Sequence, residues 1–472
     1  MDSNVTQILL VENNAAKIVE NDDQCQERRS LQERKTESKT KDVDEQTKTF
    51  KRRWIMLLLF CLSSALNAFH WIQYSSVANV VMRYYDVSAI YVNWSSMIFM
   101  AVYVPLVFPA TWLLEKKGLR IAMIIGVLMS ALGSWMKLLS LDRDKFLVGF
   151  LAQFIIGSAQ MFTLSLPARL AGLWFDSSQV STACAIGVSS NQLGIALSFL
   201  IPPIVVRDSE DYTQIRSDLQ YLFIMMAVPT TLLLILVYFF FEASPPAPPS
   251  LAQLSARERE KGRGTSYSTV LKTLITNKDY VLLMLSYGLN VGVFYAYSTL
   301  LNQLFLIHFP NGQTEAGQIG LTLIIGGMWG SVVWGIVLDK THMFRGTTLL
   351  VYAMGVVGIV GFTYSLSYKH LIMIYITSGF LGFFMNGYLT VAYEFAAELT
   401  YPLPESTSSG LLNAIGEALG VVLVLGAGII LDAKGDFPTN LLLSSVLILG
   451  LLISFFISGK KLQRLAASHV QS

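Results

Sequence analysis

Apolar residues in this chain are gathered into long stretches separated by short polar ones. A helix needs about 20 apolar residues to cross the hydrocarbon of a bilayer. Twelve stretches reach that length, near 54–80, 92–114, 120–139, 146–168, 179–205, 220–241, 280–307, 318–338, 347–367, 371–393, 407–431 and 439–458. They predict an all-α membrane protein with twelve transmembrane helices. Landmarks recur along them: Trp71 and Tyr295, like the Glu115 and Asp339 loops, are 224 residues apart, and Gln192 and Glu417 are 225 apart. A duplication at that period predicts two pseudo-symmetric six-helix bundles, 51–243 and 280–458, facing each other across a central cavity.

The polar segments divide the rest. Residues 1–50, rich in Glu, Lys, Gln, Asp and Thr, bury too little apolar surface to offset ordering and are expected to form a disordered tail. The first apolar run follows that tail and is too long for a signal peptide, so it is expected to act as an uncleaved anchor. The run Ser244-Pro245-Pro246-Ala247-Pro248-Pro249 stops the sixth helix, since proline lacks the backbone donor. A charged linker, 244–279, then joins the halves, and 459–472 form a second tail.

Composition agrees with the pattern: of 472 residues, 53% are hydrophobic and only 14% charged, more apolar surface than one soluble core of this length requires. Lys51-Arg52-Arg53, the bases after helix 2, Arg257 to Lys278 in the linker, and Lys460, Lys461 and Arg464 all fall on one side of twelve crossings. The positive-inside rule makes that side, and both termini, cytoplasmic, although Arg83, Lys137, Arg143, Lys145, Arg207 and Arg216 fall opposite. The net charge of +2 suits contact with anionic headgroups of the lipid bilayer, and no nucleic-acid module is visible. Cys25, Cys61 and Cys184 make neither a metal spacing nor a disulfide framework. No nucleotide, phosphate-loop or hydrolytic motif supports an enzyme, so no catalytic residue, cofactor or metal is expected.

Two loops carry the repeat on the cytoplasmic side, with Glu115, Lys116 and Arg120 in one and Asp339, Lys340 and Arg345 in the other. An acid followed by a base, a tight turn and an Arg at the next helix start resembles, in degenerate form, the signature loop of the major facilitator superfamily. That resemblance implies charges that bridge neighbouring helices and exchange partners as the bundles rock.

Candidate substrate chemistry lies within the apolar segments. Asn67, Trp71 and Tyr74 share a face of helix 1, and Tyr295, Ser298 and Asn302 share one of helix 7. Asn191-Gln192 in helix 5 and Asn413 with Glu417 in helix 11 are mid-helix and related by the repeat. Glu417 is the only carboxylate far from any predicted segment end, and at about 2.5–3.5 kcal/mol for mid-bilayer burial it should face water, a partner or a ligand. Every Lys and Arg maps to a segment end, loop or tail, so none is expected to pair it. An anionic substrate would want a fixed cation, whereas an ammonium wants aromatic faces and at most one acid. A lone membrane tryptophan is more often filler or an interfacial anchor. Mid-helix placement and a symmetric aromatic partner favour a cage made by Trp71 and Tyr295.

Asn67 to Ser75, Val104 to Leu114, Ser181-Thr182-Ala183-Cys184-Ala185, Asn191-Gln192-Leu193-Gly194, Ser298 to Gln303 and Ser408 to Asn413 together resemble the feline leukemia virus subgroup C receptor-related transporters, over about residues 51–458. The resemblance implies a major facilitator fold and plasma-membrane transport of choline and ethanolamine; the family has also been described as moving haem. It matches Trp71 and Tyr295 to the family's choline cage and Gln192 to a polar cavity residue. This chain departs by carrying Glu417 and His70 where the family has glutamine. Glu417 could strengthen cation binding or couple transport to protons; His70 is read as turned away from the cage. The expectation is a monomeric alternating-access carrier for choline-like amines, binding through Trp71, Tyr295, Asn67, Gln192, Asn413 and Glu417. The alternatives are a haem transporter, for which His70, Cys61 and Cys184 are the candidate axial ligands, and a membrane receptor that no longer transports.

Overall fold

A computed structural model describes residues 50–176, 179–247, 267–401, 403 and 405–458. Residues 1–49 of the expected tail 1–50, the tail 459–472 and most of the linker lie outside the described residues. The N-terminal half holds α1 (Arg53–Ile72), α2 (Ala78–Tyr85), α3 (Ala89–Leu114), α4 (Lys116–Leu138), α5 (Phe146–Trp174), α6 (Val180–Val205) and α7 (Tyr212–Phe240). After α8 (Tyr267–Thr276) come α9 (Lys278–Leu306), α10 (Gln313–Thr341), α11 (Phe344–Ser367), α12 (Leu371–Thr400), α13 (Glu405–Lys434) and α14 (Asp436–Phe455). All but α2 and α8 are apolar and long enough to span a bilayer, making twelve spans among the described residues.

The first predicted segment is where the pattern misleads. A single helix over 54–80 is expected, but α1 stops at Ile72 and a 3₁₀ turn, Ser75–Val77, leads into the separate α2. The polar run Gln73-Tyr74-Ser75-Ser76 interrupts the apolar face, and Val77 leaves the helical region at φ −127°, ψ 35°. A helix end inside a membrane leaves carbonyls that lipid cannot satisfy. Three neighbours satisfy them: Ser198 of α6 donates to Phe69 O at 2.6 Å, Gln153 of α5 to His70 O at 3.0 Å, and Ser96 of α3 to Trp71 O at 2.8 Å. The backbone carrying Trp71 is thus held by three helices at about 1 kcal/mol per bond.

The internal repeat extends to the backbone. α3 folds back into α4 at Gly118, φ +80°, and α10 turns towards α11 at His342, φ +50°, a position 224 residues later. Both turns need a left-handed residue; glycine adopts it freely, and histidine is one of the few others found there. Glycine elsewhere sets helix spacing: a Cβ on Gly194 would strike the Ala65 carbonyl, so α6 lies directly on α1.

The two halves meet most visibly at the end of the bundle that carries α2. There Asn79 donates to Gln313 Oε1 at 2.9 Å and Asn302 Oδ1 at 3.4 Å, Asn302 donates to Ser76 O at 3.1 Å, and Gln303 donates to Asn93 Oδ1 at 2.7 Å. Gln313 Nε2 adds bonds to Val206 O at 2.7 Å and Pro203 O at 3.3 Å. Uncharged groups make all six, closing this end over the middle of the molecule.

Candidate substrate site between the two halves

Below that closure the structure brings Trp71, Tyr295 and Glu417 together. Trp71, in the last turn of α1, is buried, and its ring lies edge-to-face against Tyr295 of α9, with centroids 5.1 Å apart and planes at 73°. Tyr295 donates its hydroxyl to Glu417 Oε1 at 3.0 Å, and Glu417 on α13 is only 2% exposed. Gly420, one turn further along α13, makes room for the tyrosine, since a Cβ there would come within 2.6 Å of Tyr295 Cδ2 and 2.9 Å of Met100 Sδ.

The fourth member was missed from the sequence. Gln160 of α5 donates to Glu417 Oε1 at 3.5 Å, so an N-half amide and a C-half carboxylate meet beside the aromatic pair. Glu417 Oε2, Gln160 Oε1, Gln192 Oε1 and Trp71 Nε1 are all buried and have no hydrogen-bond partner in the protein. Leaving such an atom unsatisfied costs about 1–3 kcal/mol, and three of the four belong to the Trp71, Gln160 and Glu417 group described above.

Other expected site residues are engaged elsewhere. Asn67 donates to Ile156 O at 3.0 Å and Ser130 Oγ at 3.5 Å, tying α1 to α5 and α4 inside one half. Asn413 Oδ1 accepts from Tyr393 and Tyr287, at 2.5 and 3.2 Å, in a network one turn from Glu417. His70 points into its own half, with Nε2 3.0 Å from Ser134 Oγ and Nδ1 3.0 Å from both Gln73 Oε1 and Lys137 Nζ. Lys137 needs a correction: it stands in the last turn of α4, as expected of a segment end, yet it is fully buried. Its Nζ donates to Gln73 Oε1 at 2.6 Å and lies 5.0 Å from the Tyr74 ring centroid.

The structure matches the repeat in the tail-side loops as well. Arg120 donates to Tyr238 O at the end of α7, and Arg345 to Phe455 O at the end of α14, each at 2.9 Å. Each guanidinium therefore binds the last span of its own half. Lys116 lies 4.9 Å from the Trp112 ring centroid and Lys340 is exposed; the Glu115 and Asp339 side chains are outside the described residues. No group of three His, Cys, Asp or Glu able to hold a metal occurs among the described residues.

Residues 54–401 match the Major Facilitator Superfamily. This chain belongs to that superfamily. Its relatives bear out the resemblance to the feline leukemia virus subgroup C receptor-related transporters within it. The choline/ethanolamine transporter flvcr2a of Danio rerio is 44% identical over 88% of each chain. The choline/ethanolamine transporter FLVCR2 of Homo sapiens is 44% identical, over 87% of this chain and 78% of its own length. Among solved structures, a bacterial homologue of the human lysosomal transporter Spinster, inward-facing and unoccupied, superposes with a TM-score of 0.67 at 14% identity, over 88% of this chain and 99% of the other. As a Major Facilitator Superfamily member the chain is a multi-pass membrane transporter, and the contact of Trp71 with Tyr295 spans its two halves.

Proposed function

We propose that this chain carries choline and ethanolamine across the plasma membrane by alternating access, as a monomer with both termini in the cytoplasm and without covalent chemistry. The observation that carries the reading is the meeting of Trp71 and Tyr295, one ring from each half, over a buried carboxylate with an uncommitted oxygen. Aromatic faces attract an ammonium by about 0.5–2 kcal/mol per ring when desolvated, and Glu417 supplies the counter-charge. Gln192 adds a buried acceptor, and Asn67 and Asn413 hold the helices that present the others. Because the pair bridges the halves, a cation seated there contacts both, and rocking of one half against the other exposes it to either side. Relatives bearing the name choline/ethanolamine transporter support the substrate class, and the basic residues of the tails and linker support the orientation. The matching bonds of Arg120 and Arg345 to the last span of each half support reading Glu115, Lys116, Arg120, Asp339, Lys340 and Arg345 as the tail-side gating loops.

Haem fits less well. His70 is occupied by Ser134, Gln73 and Lys137, and Cys61 lies 3.9 Å from the Ile186 carbonyl. A receptor that does not transport would have no need for unsatisfied buried groups between two bundles. The deciding experiment is uptake of labelled choline, ethanolamine and haem by cells expressing the chain. Saturable amine uptake above untransfected cells is expected, and haem in excess should leave it unchanged. Haem uptake without amine uptake, or competition by haem for the amine site, would reject the proposal.

A further inference from the structure

Choline and ethanolamine differ in one respect that this site is equipped to detect. A primary ammonium carries three N–H donors, whereas a trimethylammonium carries none. The aromatic pair alone treats both as cations. Beside it, however, stand a carboxylate and an amide that both need donors. Glu417 Oε1 already accepts from Tyr295 and Gln160, while Glu417 Oε2 and Gln160 Oε1 accept from nothing in the protein. The two side chains come from opposite halves, α5 and α13, and touch each other at 3.5 Å, so each free oxygen belongs to one member of a contacting pair. Glu417 is almost fully buried, where water competes least for the bond.

We propose that Glu417 and Gln160 are specificity-determining residues that make this carrier prefer primary over quaternary ammonium substrates. The inference rests on the amine-carrier reading above. Seating a primary ammonium gives both orphaned oxygens a charge-assisted hydrogen bond. Seating a trimethylammonium covers them with methyl groups and leaves them unpaired. A site built to bond an N–H rejects the analogue lacking it for that reason, more sharply than an apolar pocket rejects an added methyl. A neutral amide at 417 would still accept a hydrogen bond but would lose the charge that strengthens it.

The test is inhibition of labelled choline uptake by ethanolamine, N-methylethanolamine, N,N-dimethylethanolamine and unlabelled choline, in which methyl groups replace N–H donors one at a time. In the unaltered chain, potency should fall along that series. In Glu417→Gln and Gln160→Met, at matched surface expression, the preference for ethanolamine over choline should shrink about tenfold, the weight of one charge-assisted hydrogen bond. A flat or reversed series in the unaltered chain, or a preference that neither substitution moves, would overturn the inference while leaving the carrier intact. Absence of any amine uptake would instead reject the carrier reading on which it stands. The methylation series requires no variant, so a misfolded mutant cannot decide the matter.

Discussion

Trp71 and Tyr295 do different work although the repeat pairs them. Trp71 offers a π face and little else, and its indole N–H has no partner in the protein. Tyr295 offers a face and also fixes Glu417 through its hydroxyl. Alanine at either position should therefore raise the KM for choline roughly two- to thirtyfold, the range expected from losing one desolvated cation–π contact. Tyr295→Phe keeps the ring and loses the bond, so it should fall between wild type and Tyr295→Ala. Concentration-dependent uptake at matched surface expression checks the ranking, and equal KM values would remove the cage. Glu417 adds a pH dependence: a proton and an ammonium compete for one carboxylate, so choline uptake should fall as the external medium is acidified. Glu417→Gln, which has no proton to gain, should show a flatter profile, and superimposable profiles would make Glu417 a neutral hydrogen bonder.

At the scale of elements, the broken first span and the α2-end closure belong together. α2 begins where α1 has been capped by Ser198, Gln153 and Ser96, and its Asn79 reaches Gln313 of α10 in the other half. Gln313→Leu removes three of the six bonds joining the halves there, at about 0.5–1.5 kcal/mol each. The equilibrium should move at least tenfold, by that order-of-magnitude sum, towards the form open at this end. Spin labels at the exposed Glu210 and Asn311, in the loops that precede α7 and α10, should report a larger population of long distances; an unchanged distribution would mean that the closure is held by other contacts. The polar run Gln73-Tyr74-Ser75-Ser76 is short and Val77, Ala78, Val80 and Val81 resume the apolar pattern at once, so only the caps from α3, α5 and α6 reveal that the helix has ended. The same covering explains Lys137. Tyr84 and Tyr85 of α2 donate to Leu141 and Ser140 carbonyls, at 2.5 and 2.9 Å, and so fold α2 over a helix end that linear position would leave in solvent. Twelve spans were legible because span length is a property of the chain alone, and Trp71, Tyr295 and Glu417 were legible because the repeat pairs such positions. Gln160 has no polar counterpart at the repeat spacing, where Phe384 and Met385 stand, and only packing discloses it.

For the whole molecule, the position of Glu417 has an electrical consequence. In a medium alkaline enough to ionise its carboxylate, the empty site holds one negative charge, and a bound amine cancels it. The transmembrane field, about 2.3 kcal/mol per elementary charge per 100 mV, then acts on the return of the empty carrier and hardly at all on the loaded passage. Net choline uptake should respond to membrane potential, whereas choline-for-choline exchange, in which the carrier crosses loaded both ways, should not. Glu417→Gln inverts the assignment: its empty form is neutral at the site and its loaded form positive, so exchange becomes the voltage-sensitive mode. Parallel flux measurements in vesicles clamped at several potentials would separate the two cases. A single carboxylate between the bundles thus decides which half of the transport cycle the cell's resting voltage can drive.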